Sequence, residues 1–417
     1  MSGGALIIGA GQAGVQLAGS LRDNGYQEPI TLLGAEVHEP YQRPPLSKAF
    51  LSGSVEMTSL AFRNQAFYDN HGIELVCGER VETLRLAGDD GTGTAVTDTG
   101  RSLRFDHLAL TVGARPRRLT VPGSDLAGIC YLRDVDDAVA LRAALASADD
   151  VVVIGGGFIG LEAAAVARSQ GKTVTVVEAS DRLIPRAVAP GVSEFYRQAH
   201  ERRGTTIHLD AAVTGLVGAG GRVVAVSLAD GTELAADLVV VGIGILPGTE
   251  LAEQLGLSCD GGIVVDRFAR TSLPSVVAAG DCTVLPHPLT GEGMVRLESV
   301  QNAVSQAKVA AAALAGRPQP YTDVPWFWSD QYDLKLQIAG LSTGYDQTVV
   351  RGDVDGDRFS VLYYRDGQLI AVDAVNAPPD YLTVRKALGQ GATIPADRAA
   401  DAATPLKSLL TPGTTAV

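Results

Sequence analysis

Ala5-Leu6-Ile7-Ile8-Gly9-Ala10-Gly11-Gln12-Ala13-Gly14 is the stretch on which the reading of the chain turns. Four apolar residues run straight into the spacing GxGxxG, and helical character follows from Ala13 to Asn24. Each glycine answers a separate demand of a strand-turn-helix that holds a dinucleotide. Gly9 makes the tight turn, Gly11 lets the backbone approach a pyrophosphate, and Gly14 lets the helix pack closely on the strand. The helix N-terminus then faces the phosphates with unpaired N–H groups and the positive end of its dipole. A second strand candidate, Ile30 to Leu33, is followed by Glu36. An acid about 20 residues beyond the last glycine is where ribose hydroxyls are bound.

The pattern recurs downstream. Val151 to Ile154 leads into Gly155-Gly156-Gly157-Phe158-Ile159-Gly160, then a helical stretch from Ile159 to Gln170 and a strand from Thr173 to Val177 followed by Glu178. A carboxylate at that strand end accepts hydrogen bonds from both ribose hydroxyls and repels a 2′-phosphate, which favours NADH. Arg182 and Arg186 keep NADPH open, because an arginine near this position accommodates that phosphate. Two complete fingerprints imply two dinucleotides: FAD retained as the working cofactor, and NAD(H) exchanging as the hydride donor.

Further strand candidates, Leu108 to Val112, Leu238 to Val241 and Val276 to Ala279, alternate with helical stretches, as in an α/β protein with parallel sheets. After Pro318 the character shifts to the aromatic segment PYTDVPWFWSDQYDLKLQIAG, then to alternating runs at Phe359 to Tyr364 and Gln368 to Val372. That pattern predicts an antiparallel α+β domain. From about Pro395 the chain is rich in Ala, Asp, Thr and Pro, and its end is expected to be partly disordered. A length of 417 residues accommodates two or three domains.

The 47 acidic against 34 basic residues, a net charge of −13, argue against a sequence-independent nucleic-acid binder, which needs a cationic face. No apolar run approaches the roughly 18 residues of a membrane span, and Met1 leads directly to the first strand, so a soluble cytoplasmic protein with no membrane partner is expected. The four cysteines, Cys77, Cys130, Cys259 and Cys282, are too far apart in sequence for a CxxC pair or a metal knuckle. No metal site is expected.

Several segments together resemble one family: Pro40 to Lys48 (PYQRPPLSK), Thr111 to Leu119 (TVGARPRRL), Val239 to Leu251, Ala278 to Thr283 (AAGDCT), Leu297 to Ala303 (LESVQNA) and Phe327 to Leu341. They are similar to the FAD-dependent, NADH-dependent ferredoxin reductases of bacterial oxygenase systems, over nearly the whole chain. The resemblance implies an α/β fold with two Rossmann-like dinucleotide-binding domains in a glutathione-reductase-like arrangement, plus a C-terminal α+β domain. The implied boundaries are 1–112 and 246–320 for FAD, 113–245 for NAD, and 321–417 for the interface domain.

It implies that FAD is bound by Gly9, Gly11, Ala13, Gly14, Glu36, Arg43, Lys48, Val81, Arg133, Asp281, Val300 and Trp328, and NADH by Gly155, Gly157, Ile159, Gly160 and Glu178. Lys48 would stand near flavin N5, paired with Glu162, and these two are the implied catalytic residues. Read from the residues alone, Lys48 is a surface lysine, Glu162 an acid favoured by a helix N-terminus, Arg133 a surface arginine and Trp328 a core aromatic. The implied partner is a two-iron two-sulfur ferredoxin, and through it a haem monooxygenase or ring-hydroxylating dioxygenase. Other one-electron acceptors, rubredoxin or monodehydroascorbate, and a flavoprotein sensor like apoptosis-inducing factor remain open alternatives. An acidic ferredoxin would dock on local cations, with Arg296, Arg317 and Lys335 as candidates.

Overall fold

The computed structural model describes residues 3–88 and 91–413. The first fingerprint forms as its residues require: strand Ala5–Ile8, turn, and helix Gln12–Asp23, which buries Leu17, Ala18 and Leu21. Around that strand lies a five-stranded parallel sheet in the order Val276–Ala278, His107–Leu110, Ala5–Ile8, Ile30–Gly34, Ile73–Cys77. Its strands are buried on both faces, which is why they read as continuous apolar runs. Helix Val300–Leu314 packs on helix Gln12–Asp23 through small residues, Ala303, Ala307, Ala310 and Ala311 against Ala13 and Ala18.

The second fingerprint repeats this construction. Strand Asp150–Ile154 leads to helix Phe158–Ser169, and the sheet order is Thr205–His208, Thr173–Val177, Asp150–Ile154, Leu238–Val241, Ile129–Cys130, again all parallel. The C-terminal part is an antiparallel five-stranded sheet in the order Trp326–Gln331, Leu334–Gly340, Gln368–Val375, Arg358–Arg365, Gln347–Asp353, covered by helix Pro378–Gly389. The α/β class with two dinucleotide folds and a C-terminal α+β part is therefore the architecture observed.

Two compact units arise. One comprises Met1–Gln42, Met57–Arg115 and Leu246–Pro325; the other comprises Arg43–Glu56, Pro116–Ile245 and Trp326–Val417. The second unit thus holds the second fingerprint together with the C-terminal sheet and the RPPLSK segment. The Ala-, Asp-, Thr- and Pro-rich segment expected to be partly disordered at its end is structured from 395 to 413. The buried Arg351 guanidinium donates to the carbonyls of Ala399, Asp401, Ala402 and Thr404 and pairs with Asp380, so the polar C-terminal segment is tied to the sheet. Residues 414–417, also part of that expectation, lie outside the described residues. Among the described residues no helix is long and apolar enough to cross a membrane.

Candidate functional site: two dinucleotide cradles and a buried ion pair

In the first unit Gly9 has φ of 109°, a conformation that side chains resist, and a Cβ on Gly14 would lie 2.0 Å from the Gly9 carbonyl. Over Gly11, by contrast, a Cβ would meet nothing within 4 Å, and the helix that begins there has no side-chain cap. The cradle is closed below and open above, with helix N–H groups unclaimed by side chains, and so fits a pyrophosphate. Glu36 stands just past strand Ile30–Gly34, where its carboxylate accepts a hydrogen bond from the Tyr41 hydroxyl. The chain beyond Cys77 runs beside it, Gly78 N–H donating to the Glu36 carbonyl, and this leads to the buried Val81.

The Ala-Gly-Asp turn comes to the same place. Gly280 packs so close to the first fingerprint helix that a Cβ on it would lie 3.3 Å from that of Ala13, which sets Asp281 beside the cradle. Gln306, fully buried, holds the turn by accepting from Gly280 N–H (2.8 Å) and from the Thr283 hydroxyl (2.9 Å). Val300 is the first residue of that helix, after Ser299, whose side chain caps it by accepting from Asn302 N–H. The first unit therefore gathers Gly9, Gly11, Ala13, Gly14, Glu36 and Asp281 from distant parts of the sequence. Sequence reasoning passed over Gln306; its only signal was a polar residue on an alanine-lined helix face.

In the second unit Gly155 repeats the φ of 109°, and a Cβ on Gly160 would lie 2.1 Å from the Gly155 carbonyl. Gly157 is open above, and Ile159 is 43% exposed at the helix start. Glu178 Oε2 accepts from Gly156 N–H at 2.6 Å and Oε1 from Ser180 N–H at 2.8 Å, so the acid is locked to the fingerprint loop with lone pairs left for a ribose. Arg182 is spent elsewhere: it donates to the carbonyls of Pro185 and Val188 and to the Ser193 hydroxyl. Of the two arginines weighed for a 2′-phosphate, only Arg186 is exposed.

Lys48 and Glu162 meet. Pro44 and Pro45 pre-set a short 3-10 turn, Pro44–Ser47, with Lys48 at its end, and the lysine Nζ lies 2.8 Å from Glu162 Oε2. Glu162 is 2% exposed yet well satisfied, since Ser47 donates to Oε2 at 2.5 Å and Ser329 to Oε1 at 2.6 Å. Neither serine was singled out from the sequence, although each adjoins a residue that was, Lys48 and Trp328. The Arg43 guanidinium donates to the Arg133 carbonyl at 2.7 Å, which brings these two together as well. Trp328 is half-buried, its ring centroid 5.6 Å from that of Trp326.

None of the four cysteines is paired. Burial pushes the thiol pKa of Cys282 up to about 12 and raises those of Cys77, Cys130 and Cys259, so none has thiolate character. The proposed docking cations are partly neutralised: Arg296 pairs with Glu298 at 2.8 Å, and Lys335 Nζ lies 4.0 Å from Asp330.

One dinucleotide cradle per unit, with no reactive dithiol, defines a pyridine-nucleotide-dependent flavoprotein oxidoreductase that moves electrons without a cysteine pair. The family model "Pyridine nucleotide-disulphide oxidoreductase" matches residues 5–307 and "Reductase C-terminal" matches 326–410. The chain belongs to the pyridine nucleotide-disulphide oxidoreductase family. It is 46% identical to rhodocoxin reductase of Rhodococcus erythropolis over 396 residues, 95% of this chain and 92% of that one. Among solved structures, the ferredoxin reductase for the CYP199A2 system from Rhodopseudomonas palustris superposes with a TM-score of 0.93 at 42% identity, covering 97% of this chain and 98% of that one. The covalent putidaredoxin reductase–putidaredoxin complex gives 0.93 at 38% identity, with 97% of each chain covered. The chain is an enzyme of this family, with FAD and NAD(H) as its cofactors.

Proposed function

We propose that the protein is an FAD-containing ferredoxin reductase that takes hydride from NADH and passes single electrons to a two-iron two-sulfur ferredoxin serving an oxygenase. The observation that carries this is the Lys48–Glu162 pair, bonded further by Ser47 and Ser329, in a family member whose four cysteines are all unpaired. When bound, FAD supplies the redox chemistry, taking electrons as a pair and releasing them singly.

The residues of this chain bind and orient. Gly9, Gly11 and Gly14 hold the FAD pyrophosphate, Glu36 its ribose, and Asp281 its ribityl or phosphate end, with Ala13, Val81 and Val300 lining the site. Gly155, Gly157, Ile159 and Gly160 hold NADH, and Glu178 accepts from its ribose hydroxyls. Lys48 would offer a fixed cation to the flavin, favouring the charge that develops on reduction. Glu162 orients the lysine and would face the nicotinamide. Arg43, Arg133 and Trp328 complete the flavin surroundings. The spending of Arg182 on backbone carbonyls supports NADH over NADPH.

The test is NADH-dependent reduction of cytochrome c by the purified flavoprotein, with and without a panel of small bacterial ferredoxins, repeated with NADPH. Large stimulation by one ferredoxin with NADH preferred is expected. Flavin reduction by NADH that no ferredoxin accelerates would instead favour rubredoxin or monodehydroascorbate as acceptor, or a flavoprotein sensor.

A further inference from the structure

Along strand Trp326–Gln331 successive side chains alternate between faces, so Phe327, Ser329 and Gln331 share one face while Trp326 and Trp328 share the other. The first face meets helix Phe158–Ser169. Phe327 stacks on Phe158 with centroids 4.6 Å apart, and one helical turn further Ser329 reaches Glu162. Ser329 and Gln331 are fully buried, as is His200, whose Nε2 lies 2.8 Å from Gln331 Oε1. Gln331 Nε2 in turn lies 3.2 Å from Ser329 Oγ.

The direction of this chain follows from the inventory of donors. A serine hydroxyl has one proton, and a carboxylate oxygen 2.6 Å away must receive it, since two lone pairs facing each other there would repel. Ser329 therefore accepts from the Gln331 amide nitrogen, which turns the amide oxygen toward His200 and requires the Nε2–H tautomer of that ring. His200 is suited to the role: burial pushes its pKa down to about 4, so it is neutral in the working range, and its Nδ1 has no partner among the described residues.

We propose that Ser329 is a positioning residue for hydride delivery: its hydroxyl, aimed by Gln331 and His200, fixes the Glu162 carboxylate that holds Lys48. The proposal rests on the roles given above to Lys48 and Glu162. Without the serine, Glu162 Oε1 loses its buried donor and the carboxylate is free to turn, which lets Lys48 drift. A strand of the C-terminal sheet, which carries no part of either fingerprint, thus controls the ion pair.

The experiment is anaerobic stopped-flow reduction of the bound flavin by NADH in the holoenzyme, comparing Ser329→Ala, Ser329→Thr, Lys48→Ala and the Ser329→Ala/Lys48→Ala double variant. Flavin content and melting temperature are recorded for each. Ser329→Ala is expected to slow the limiting rate about tenfold, the scale set by losing one hydrogen bond to a charged group. Ser329→Thr, which keeps the hydroxyl, should recover to within about twofold, and the double variant should be little slower than Lys48→Ala, because coupled residues are not additive.

A wild-type limiting rate for Ser329→Ala beside a slow Lys48→Ala overturns the proposal and leaves the function standing. Wild-type rates for both remove the role of the ion pair itself. Effects that multiply in the double variant, or a lowered melting temperature with an unchanged rate per flavin, also overturn it. If Ser329→Ala does not fold, Gln331→Leu takes its place: slowing in the same direction is expected, and a wild-type rate overturns the proposal.

Discussion

At the scale of the residue, Lys48 and Glu162 define the strongest expectation. Lys48 keeps 18% of its side-chain surface exposed while its partner is almost wholly buried, so the pair is anchored on one side and accessible on the other. In the proposed mechanism Lys48→Ala would remove the cation offered to the flavin, and it leaves Glu162 without its ion-pair partner. Anaerobic flavin reduction by NADH should slow by about tenfold or more, a loss of roughly 1.4 kcal/mol per decade, and an unchanged rate would remove the lysine from the mechanism. Glu178 makes a different prediction. Its contacts with Gly156 and Ser180 shape the fingerprint loop, and in the proposed role it would bind the ribose equally in ground and transition states. Glu178→Ala should therefore raise KM for NADH about tenfold with kcat nearly constant and narrow the preference over NADPH. A fall in kcat at constant KM would contradict that assignment. Glu178 was legible because the strand pattern fixes where it stands, whereas Glu162 was reached only through the family resemblance. Ser47 and Ser329 were not legible, because a hydroxyl has no spacing signature until its partner arrives from elsewhere.

Elements were legible to within a residue or two where burial on both faces makes a strand uniformly apolar, as in Asp150–Ile154 and Thr173–Val177. The expected strand Leu108 to Val112 ends instead at Leu110. Thr111 turns its hydroxyl back to the carbonyls of Ile8 (3.1 Å) and Gly9 (2.8 Å), closing the fingerprint turn rather than extending the sheet. The C-terminal segment is less legible for the opposite reason. Its composition is that of a loose tail, and it is held both by Arg351 on strand Gln347–Asp353 and by the buried Ala399, Leu406 and Leu409. Arg351→Ala leaves several buried carbonyls and Asp380 without their donor, and should destabilise the protein by about 3 kcal/mol. Protease sensitivity beyond Pro395 should appear before any change in NADH oxidation; a cleavage pattern like that of the wild type would show that the tail is held by its apolar contacts.

For the molecule as a whole, the pH dependence of stability has one internal source that stands out. Asp373 is fully buried beside Tyr363, whose hydroxyl donates to it and accepts from Ala189 N–H at 2.9 Å; burial pushes its pKa up from 3.8 to about 7. The folded chain keeps that proton between about pH 4 and 7 while the unfolded chain has released it, so this contribution is full below pH 4 and lost as the pH rises to about 7. His200 acts in reverse, with a folded pKa of about 4 against 6.5, and costs stability as the pH falls through that window. Comparing Asp373→Asn with the wild type isolates the first effect. The variant's relative stability in denaturant should grow from pH 5 to about 7 and then level off, whereas a constant difference would mean that the carboxyl is not protonated in the fold.

The sequence by itself determined both dinucleotide cradles, their acids, the parallel sheets and the absence of a dithiol pair adjacent in sequence, because glycine spacing and apolar runs are local consequences of backbone geometry. Only the tertiary structure decided that RPPLSK joins the second fingerprint, that Arg182 is spent on backbone, and that Ser329, Gln331 and His200 converge on Glu162. The bonds from Ser47 and Ser329 to Glu162 and from His200 to Gln331 join residues more than a hundred positions apart, and the partners are chosen by how strands and helices pack, which no local pattern encodes.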